Sequence, residues 1–238
     1  MENAEKQWKS IYLIGGVVTI ITLIGIVLDI VIGNVTGGNL AALPQTAVER
    51  FVQFHENNWL GLYNLDLLNA IDQIILIPAF FALFAAHREA NKGLGLLALI
   101  IFVFGSALMV ANNVALPMME LSNKYFMTGD EAQKVLYAAA GESLLVQGAH
   151  GSAGIFFGFF LPNVANLIIS VVMLKGGVFS KTNGWLGIVG SILMMLYVVL
   201  VNFGSGIEKM ATAFAMPGGL LLMTWMILFA IKLFKLSK

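Results

Sequence analysis

Six continuous apolar stretches divide this chain, at Ile11–Gly33, Trp59–Ala85, Leu94–Pro117, Ser152–Leu174, Trp185–Phe203 and Met210–Phe234. Each is close to or above the roughly 20 helical residues that cross about 30 Å of hydrocarbon. The stretches are unbroken rather than alternating, which excludes the strands of a membrane barrel. Lipid offers no partner to an open backbone, so each stretch is expected to be a helix. The predicted fold is an all-α integral membrane protein, with residues 1–238 forming a single six-helix transmembrane bundle. The turns at His87–Gly93 and Lys175–Gly184 are short, so spans 2 and 3, and spans 4 and 5, should be antiparallel hairpins.

The connections on the other side are longer and carry structure of their own. Thr46-Ala-Val-Glu49, just after Pro44, is a capping box that opens a short helix. Val48, Phe51, Val52 and His55 form an apolar stripe at helical spacing, which predicts that this helix lies on the membrane interface. Thr128-Gly-Asp-Glu131 repeats the signal and predicts a second helix over Ala132–Gln147, running on into span 4. Orientation follows from the basic residues. With the N-terminus inside, Lys6, Lys9, Arg88, Lys92, Lys175, Lys181, Lys232, Lys235 and Lys238 are cytoplasmic, and only Arg50, Lys124, Lys134 and Lys209 are outside. The positive-inside rule therefore puts both termini in the cytoplasm and the two short helices outside, in a multi-pass plasma-membrane protein. The first apolar run exceeds a signal-peptide core and has no small-residue cleavage site, so it is read as a retained span.

Composition supports the lipid environment. The chain is 59% hydrophobic and 11% charged, against about 25% charged in a soluble domain. Thirteen basic residues balance 13 acidic ones, which removes an electrostatic case for nucleic acid. The absence of cysteine excludes disulfides, Cys-ligated metals and a Cys nucleophile. There is no phosphate-binding glycine loop, no H-E-x-x-H and no nucleophile elbow. The three histidines, His55, His87 and His150, fall on both sides of the membrane and cannot make a three-His zinc site. No cofactor is predicted.

Polar groups within the spans are the candidate chemistry. Asp29, Asp66 and Asp72 lie inside apolar stretches, where an aspartate costs about 2.5–3.5 kcal/mol. No Lys or Arg lies deep in any span to pair with them, so they must be neutral, hydrated or opposite a bound cation. Asp66, Asn69 and Gln73 share one face of span 2, with Asp72 on its shoulder. Thr22, Gly25, Asp29 and Gly33 make a matching stripe on span 1. Asn163 and Asn166 of span 4, Asn112 and Asn113 of span 3, and His150 at the mouth of span 4 add amides and an imidazole. Nearly all of these lie in the outer half. Each amide also has an ordinary reading as interhelical glue. Pro78, Pro117, Pro162 and Pro217 fall within or at the edge of spans and predict kinks. Gly148, Gly151, Gly154 and Gly158 form a small-residue track that lets another helix approach.

The opening span Trp8–Gly33, the stretch Asn64-Leu-Asp-Leu-Leu-Asn69 and the turn before Gly93-Leu-Gly95 resemble an uncharacterised group of prokaryotic six-span membrane proteins, a domain of unknown function. That resemblance implies the fold and carries over no activity. Three functions are compatible with the residues. The first is an outward-facing acidic, amide-lined pocket binding or transporting a small cation, a proton or an amphiphile. Its site would comprise Asp72, Asp66, Asn69, Gln73, Asp29, Asn163, Asn166, Asn112, Asn113 and His150. The second is a non-catalytic membrane partner or sensor whose two outer helices form the interaction surface; a homo-oligomer is compatible with any of the three. The third is an intramembrane hydrolase of lipid head groups, which needs His150 to reach Asp29, Asp66 or Glu208.

Overall fold

The computed structural model describes residues 2–35, 43–204 and 207–238. Its elements are all helical: α1 (Glu2–Val35), α2 (Ala47–Glu56), α3 (Asn58–Tyr63), α4 (Leu67–His87), α5 (Lys92–Asn112), α6 (Ala115–Met127), α7 (Glu131–Gly148), α8 (Phe156–Gly176), α9 (Lys181–Phe203) and α10 (Glu208–Leu236). Six of them (α1, α4, α5, α8, α9 and α10) are long and apolar enough to cross a membrane. Their outward faces expose large apolar side chains, such as Ile24 and Leu28 of α1 and Ile100 and Phe104 of α5. A soluble protein does not leave so continuous an apolar surface in water. The protein is a multi-pass membrane protein.

The spans form a closed ring in sequence order. Each packs on its chain neighbour, α1 on α4, α4 on α5, α5 on α8, α8 on α9, α9 on α10, and α10 closes on α1. The two ends meet on one face, where the Lys9 ammonium donates to the Lys238 carbonyl (2.9 Å). We call this the terminal face, and the opposite one, which carries α2, α3, α6 and α7, the loop-helix face. Small residues let the ring close. A side chain at Gly15 would collide with Ala82, one at Gly105 with Pro162, and one at Gly158 with the Met109 backbone. Towards the terminal face the ring is filled by Phe80, Phe102, Ile169, Trp225 and Phe229, all at most 2% exposed. Phe80 and Phe102 stack with centroids 3.7 Å apart.

Several boundaries differ from the sequence reading, each for a local reason. Span 2 begins at Leu67 rather than Trp59. Asp66 adopts a left-handed conformation (φ 59°) that separates α4 from the short helix α3, which Asn57 caps by accepting from Leu60 N–H. Span 3 breaks at Asn113 and Val114 before continuing outward as α6. Pro117 lacks the N–H that would bond the Asn113 carbonyl, and its ring crowds that carbonyl. The helix after Thr128 is capped by Asp130, whose carboxylate accepts from Ala132 N–H, and it stops at Gly148 instead of running on into span 4. Gly151 turns the chain with φ +79° before α8 starts at Phe156.

The capping box at Thr46 and Glu49 forms as read. The face that α2 buries is different, however: Ala47, Arg50, Phe51 and Phe54 point inward, while Val48, Val52 and His55 are exposed. α2 packs on α6 and α7, where Phe51, Phe54, Val114, Met118 and Leu145 make a second small core.

Candidate functional site

The polar residues of the loop-helix face gather around the start of α4. The left-handed turn at Asp66 is unusual for a residue with a side chain and costs of order 1–3 kcal/mol unless its surroundings hold it. Here they do. Asp66 N–H donates to the Tyr63 carbonyl (3.0 Å), and the Asn113 amide donates to the Leu65 carbonyl (2.8 Å). The turn aims the Asp66 carboxylate across the bundle. Its Oδ2 lies 2.9 Å from His150 Nδ1, and its Oδ1 accepts from the Asn69 amide at 2.9 Å. The second nitrogen of His150, Nε2, is 2.9 Å from the Tyr197 hydroxyl of α9. One chain of contacts thus ties α4 to the α7–α8 turn and to α9. Phe159 packs edge-on against the imidazole.

Asp66 and His150 stand just before the spans that begin at Leu67 and Phe156. Burial works against charge on both, and each outweighs it for the other. For Asp66, His150, Asn69 and Arg50 hold the carboxyl below the usual carboxylate range. For His150, Asp66 and Tyr197 push the imidazole up to about 10. At neutral pH the pair is an imidazolium–carboxylate ion pair.

Arg50 of α2 is the residue that the sequence reading left out. It is 4% exposed. Its Nη1 makes two long contacts, to Gln53 Oε1 (3.4 Å) and the Asn64 carbonyl (3.5 Å), and its Nε has no hydrogen-bond partner among the described residues. Burial lowers its pKa to about 10, opposed by Asp66 and Glu49, so it remains a cation. Arg50 and His150 stand on the wall of one partly open cavity of about 330 Å³, with Leu145, Leu200 and Val201 as apolar lining. Gln45, Gly151 and Gly204 add polar and backbone groups to its edge, and among the described residues no carboxylate lines it.

The other predicted residues are distributed differently. Asn112, Asn113 and Gln73 tie main chain across helices: Asn112 donates to the Gly154 carbonyl (2.8 Å), and Gln73 to the Gly158 carbonyl (3.2 Å). Asn163 donates to the Phe159 carbonyl on its own helix (2.9 Å), and the Asn166 Oδ1 is buried without a partner. Asp72 and Asp29 lie on the seam between α1 and α4. The Asp72 carboxylate rests against Gly25, where no Cβ would fit. The Asp29 carbonyl accepts from the Tyr63 hydroxyl at 2.8 Å. The Glu208 side chain lies outside the described residues. Among the described residues no three His, Asp or Glu side chains converge to hold a metal ion. Of the ten candidate pocket residues named from sequence, His150 alone lines the cavity.

No curated protein and no solved structure matches the chain. A family model does, over residues 11–230, from the first span to the last. The chain belongs to the DUF4386 family, a domain of unknown function.

Proposed function

We propose that this protein binds a small amphiphile in the loop-helix cavity, which faces outside if the termini are cytoplasmic, in the plasma membrane. The observation that carries this reading is the cavity wall. A polar end of Arg50 and His150 stands beside an apolar side of Leu145, Leu200 and Val201, in a space of about 330 Å³. That combination of apolar lining and few fixed polar groups is the ordinary form of a small-molecule site. Of the ligand classes that the sequence admits, a free cation is least suited to a wall whose described residues include two cationic side chains and no carboxylate. Binding is favoured over transport by the aromatic packing that fills the ring towards the terminal face. Titrating the full chain in neutral detergent with dodecyl amphiphiles tests the reading through the thermal unfolding midpoint. Wild type should be stabilised saturably, and Val201→Trp, which fills the apolar side, should not. Equal stabilisation of the two proteins would overturn it.

A second reading rests on the 2.9 Å contact between His150 and Asp66, which meets the requirement set for a lipid head-group hydrolase. A carboxylate-oriented imidazole is the general-base half of such a site once it is deprotonated, and with the His150 imidazole pushed up to about 10 this reading expects hydrolysis at alkaline pH. Its other nitrogen is taken by Tyr197, so catalysis requires that hydroxyl to yield its place to substrate. Hydrolysis of a short-chain ester by wild type but not by His150→Gln would establish this reading. Equal rates would dismiss it.

A further inference from the structure

Arg50 is a buried guanidinium that no acid group among the described residues hydrogen-bonds. Arginine presents a rigid fork of donors that matches two oxygens of one acid group, and it is rarely buried without such a partner. Among the described residues Nη1 reaches only neutral oxygens at 3.4 and 3.5 Å, and Nε has no hydrogen-bond partner. The nearby acids are committed elsewhere. The Asp66 oxygens are taken by His150 and Asn69. The Glu49 carboxylate closes the capping box, accepting from the Gln45 and Thr46 N–H groups at 2.8 and 3.0 Å. The second titratable group on the cavity wall, His150, is also a cation, because Asp66 supports its charge from behind. Among the described residues the wall thus offers two positive side chains and no negative one.

We propose that the ligand's head is an oxyanion, a carboxylate or a phosphate, seated between the Arg50 guanidinium and the His150 imidazole. This rests on the amphiphile reading of the same cavity and narrows it to acidic amphiphiles. The head supplies the directly bonded acid group that Arg50 lacks among the described residues, as a charge-assisted hydrogen-bonded pair. The chain of the ligand lies along Leu145, Leu200 and Val201. The arrangement divides the work between two cations. His150 is fixed by Asp66 and Tyr197 and sets position, while Arg50 is the group left free to pair.

The test compares head groups on one chain. The full-length protein in maltoside detergent is titrated with dodecanoate, dodecyl phosphate, dodecylamine and dodecanol, and separately with inorganic phosphate, reading the unfolding midpoint. Dodecanoate and dodecyl phosphate should raise it, and the amine and the alcohol should not at the same concentrations. Arg50→Gln should weaken dodecanoate binding about ten- to hundredfold, the loss of one hydrogen-bonded charge, and Arg50→Lys should fall between the two. If Arg50→Gln does not fold, the wild-type ranking of the four heads together with Arg50→Lys decides the matter. If the amine or the alcohol stabilises as well as dodecanoate, and Val201→Trp abolishes the effect, the pocket stands and the anion inference is overturned. An Arg50-dependent shift from inorganic phosphate equal to that of dodecyl phosphate would support the oxyanion site and remove the amphiphile. No shift from any probe would overturn both.

Discussion

Asp66 and Asp72 lie less than two turns apart at the start of α4, and each is 8% exposed, yet the fold treats them in opposite ways. Asp66 stands just outside the span, left-handed, with both oxygens satisfied by His150 and Asn69. Asp72 stands inside the span. Among the described residues no hydrogen bond or ion pair reaches it, its carboxylate is pressed on Gly25, and Asp29 acts on it electrostatically. The first is the anchor of a network that joins α4, the α7–α8 turn and α9. The second is a tight fit on a two-helix seam. A carboxylate in an apolar stretch is therefore not a site by itself. What matters is which partners the turns bring to it, and here the turn at Asp66 and the turn at Gly151 bring the imidazole.

The largest expected effect comes from breaking the anchored pair. Removing one member of a buried pair typically costs about 3–5 kcal/mol, because the other charge stays buried alone. His150→Ala should accordingly lower the unfolding midpoint most among single variants. Asp66→Ala with His150→Ala should cost less than the sum of the two singles. Additive losses would mean that the two groups do not interact.

The pair also fixes a pH dependence. The folded pKa of His150, raised to about 10, lies above the ordinary value of 6.5. Its contribution to stability is fully present below about pH 6.5 and is lost as pH rises through about 10. Stability of wild type should fall across that window, and His150→Asn should flatten the fall. Asp66, held below the usual carboxylate range, contributes above that range and loses its contribution as pH drops through its lowered value.

On the seam, effects are steric and smaller. Gly25→Ala places a Cβ on the Asp72 carboxylate, which by overpacking should cost about 1–3 kcal/mol. Combining it with Asp72→Ala should restore part of the loss, and failure to do so would detach Gly25 from Asp72. Asp72→Asn alone is the mildest change. It keeps the shape, so amphiphile binding should stay within about twofold of wild type, well under the tenfold that 1.4 kcal/mol represents. A loss as large as that from Arg50→Gln would move the site from the cavity to the seam.

The spans, the hairpins and the capping box at Thr46 were legible because length, hydropathy and capping chemistry are local signals. The buried face of α2 was not. Val48, Phe51, Val52 and His55 have the same i, i+3, i+4, i+7 spacing as Ala47, Arg50, Phe51 and Phe54, so periodicity cannot choose between them. Counting apolar residues selects the first set and leaves Arg50 in solvent. The groove formed by α6 and α7 selects the second. The partnership of His150 with Asp66 could be named from sequence only as one option among three acids. Its geometry depends on a left-handed aspartate and on a helix break at Ala149–Ile155, neither of which a hydropathy pattern encodes.

The central claim is that an acidic amphiphile occupies the cavity beside Arg50 and His150. Photo-crosslinking of the full-length protein with a diazirine-bearing dodecanoate, followed by peptide mapping, tests it most directly. Labelling should saturate, should fall on the segments around Leu145–Gly151 and Leu200–Gly204 that line the cavity, and should be displaced by unlabelled dodecanoate. Unsaturable labelling spread over the lipid-facing surfaces of α1 and α5, with the cavity segments unmarked, would contradict it.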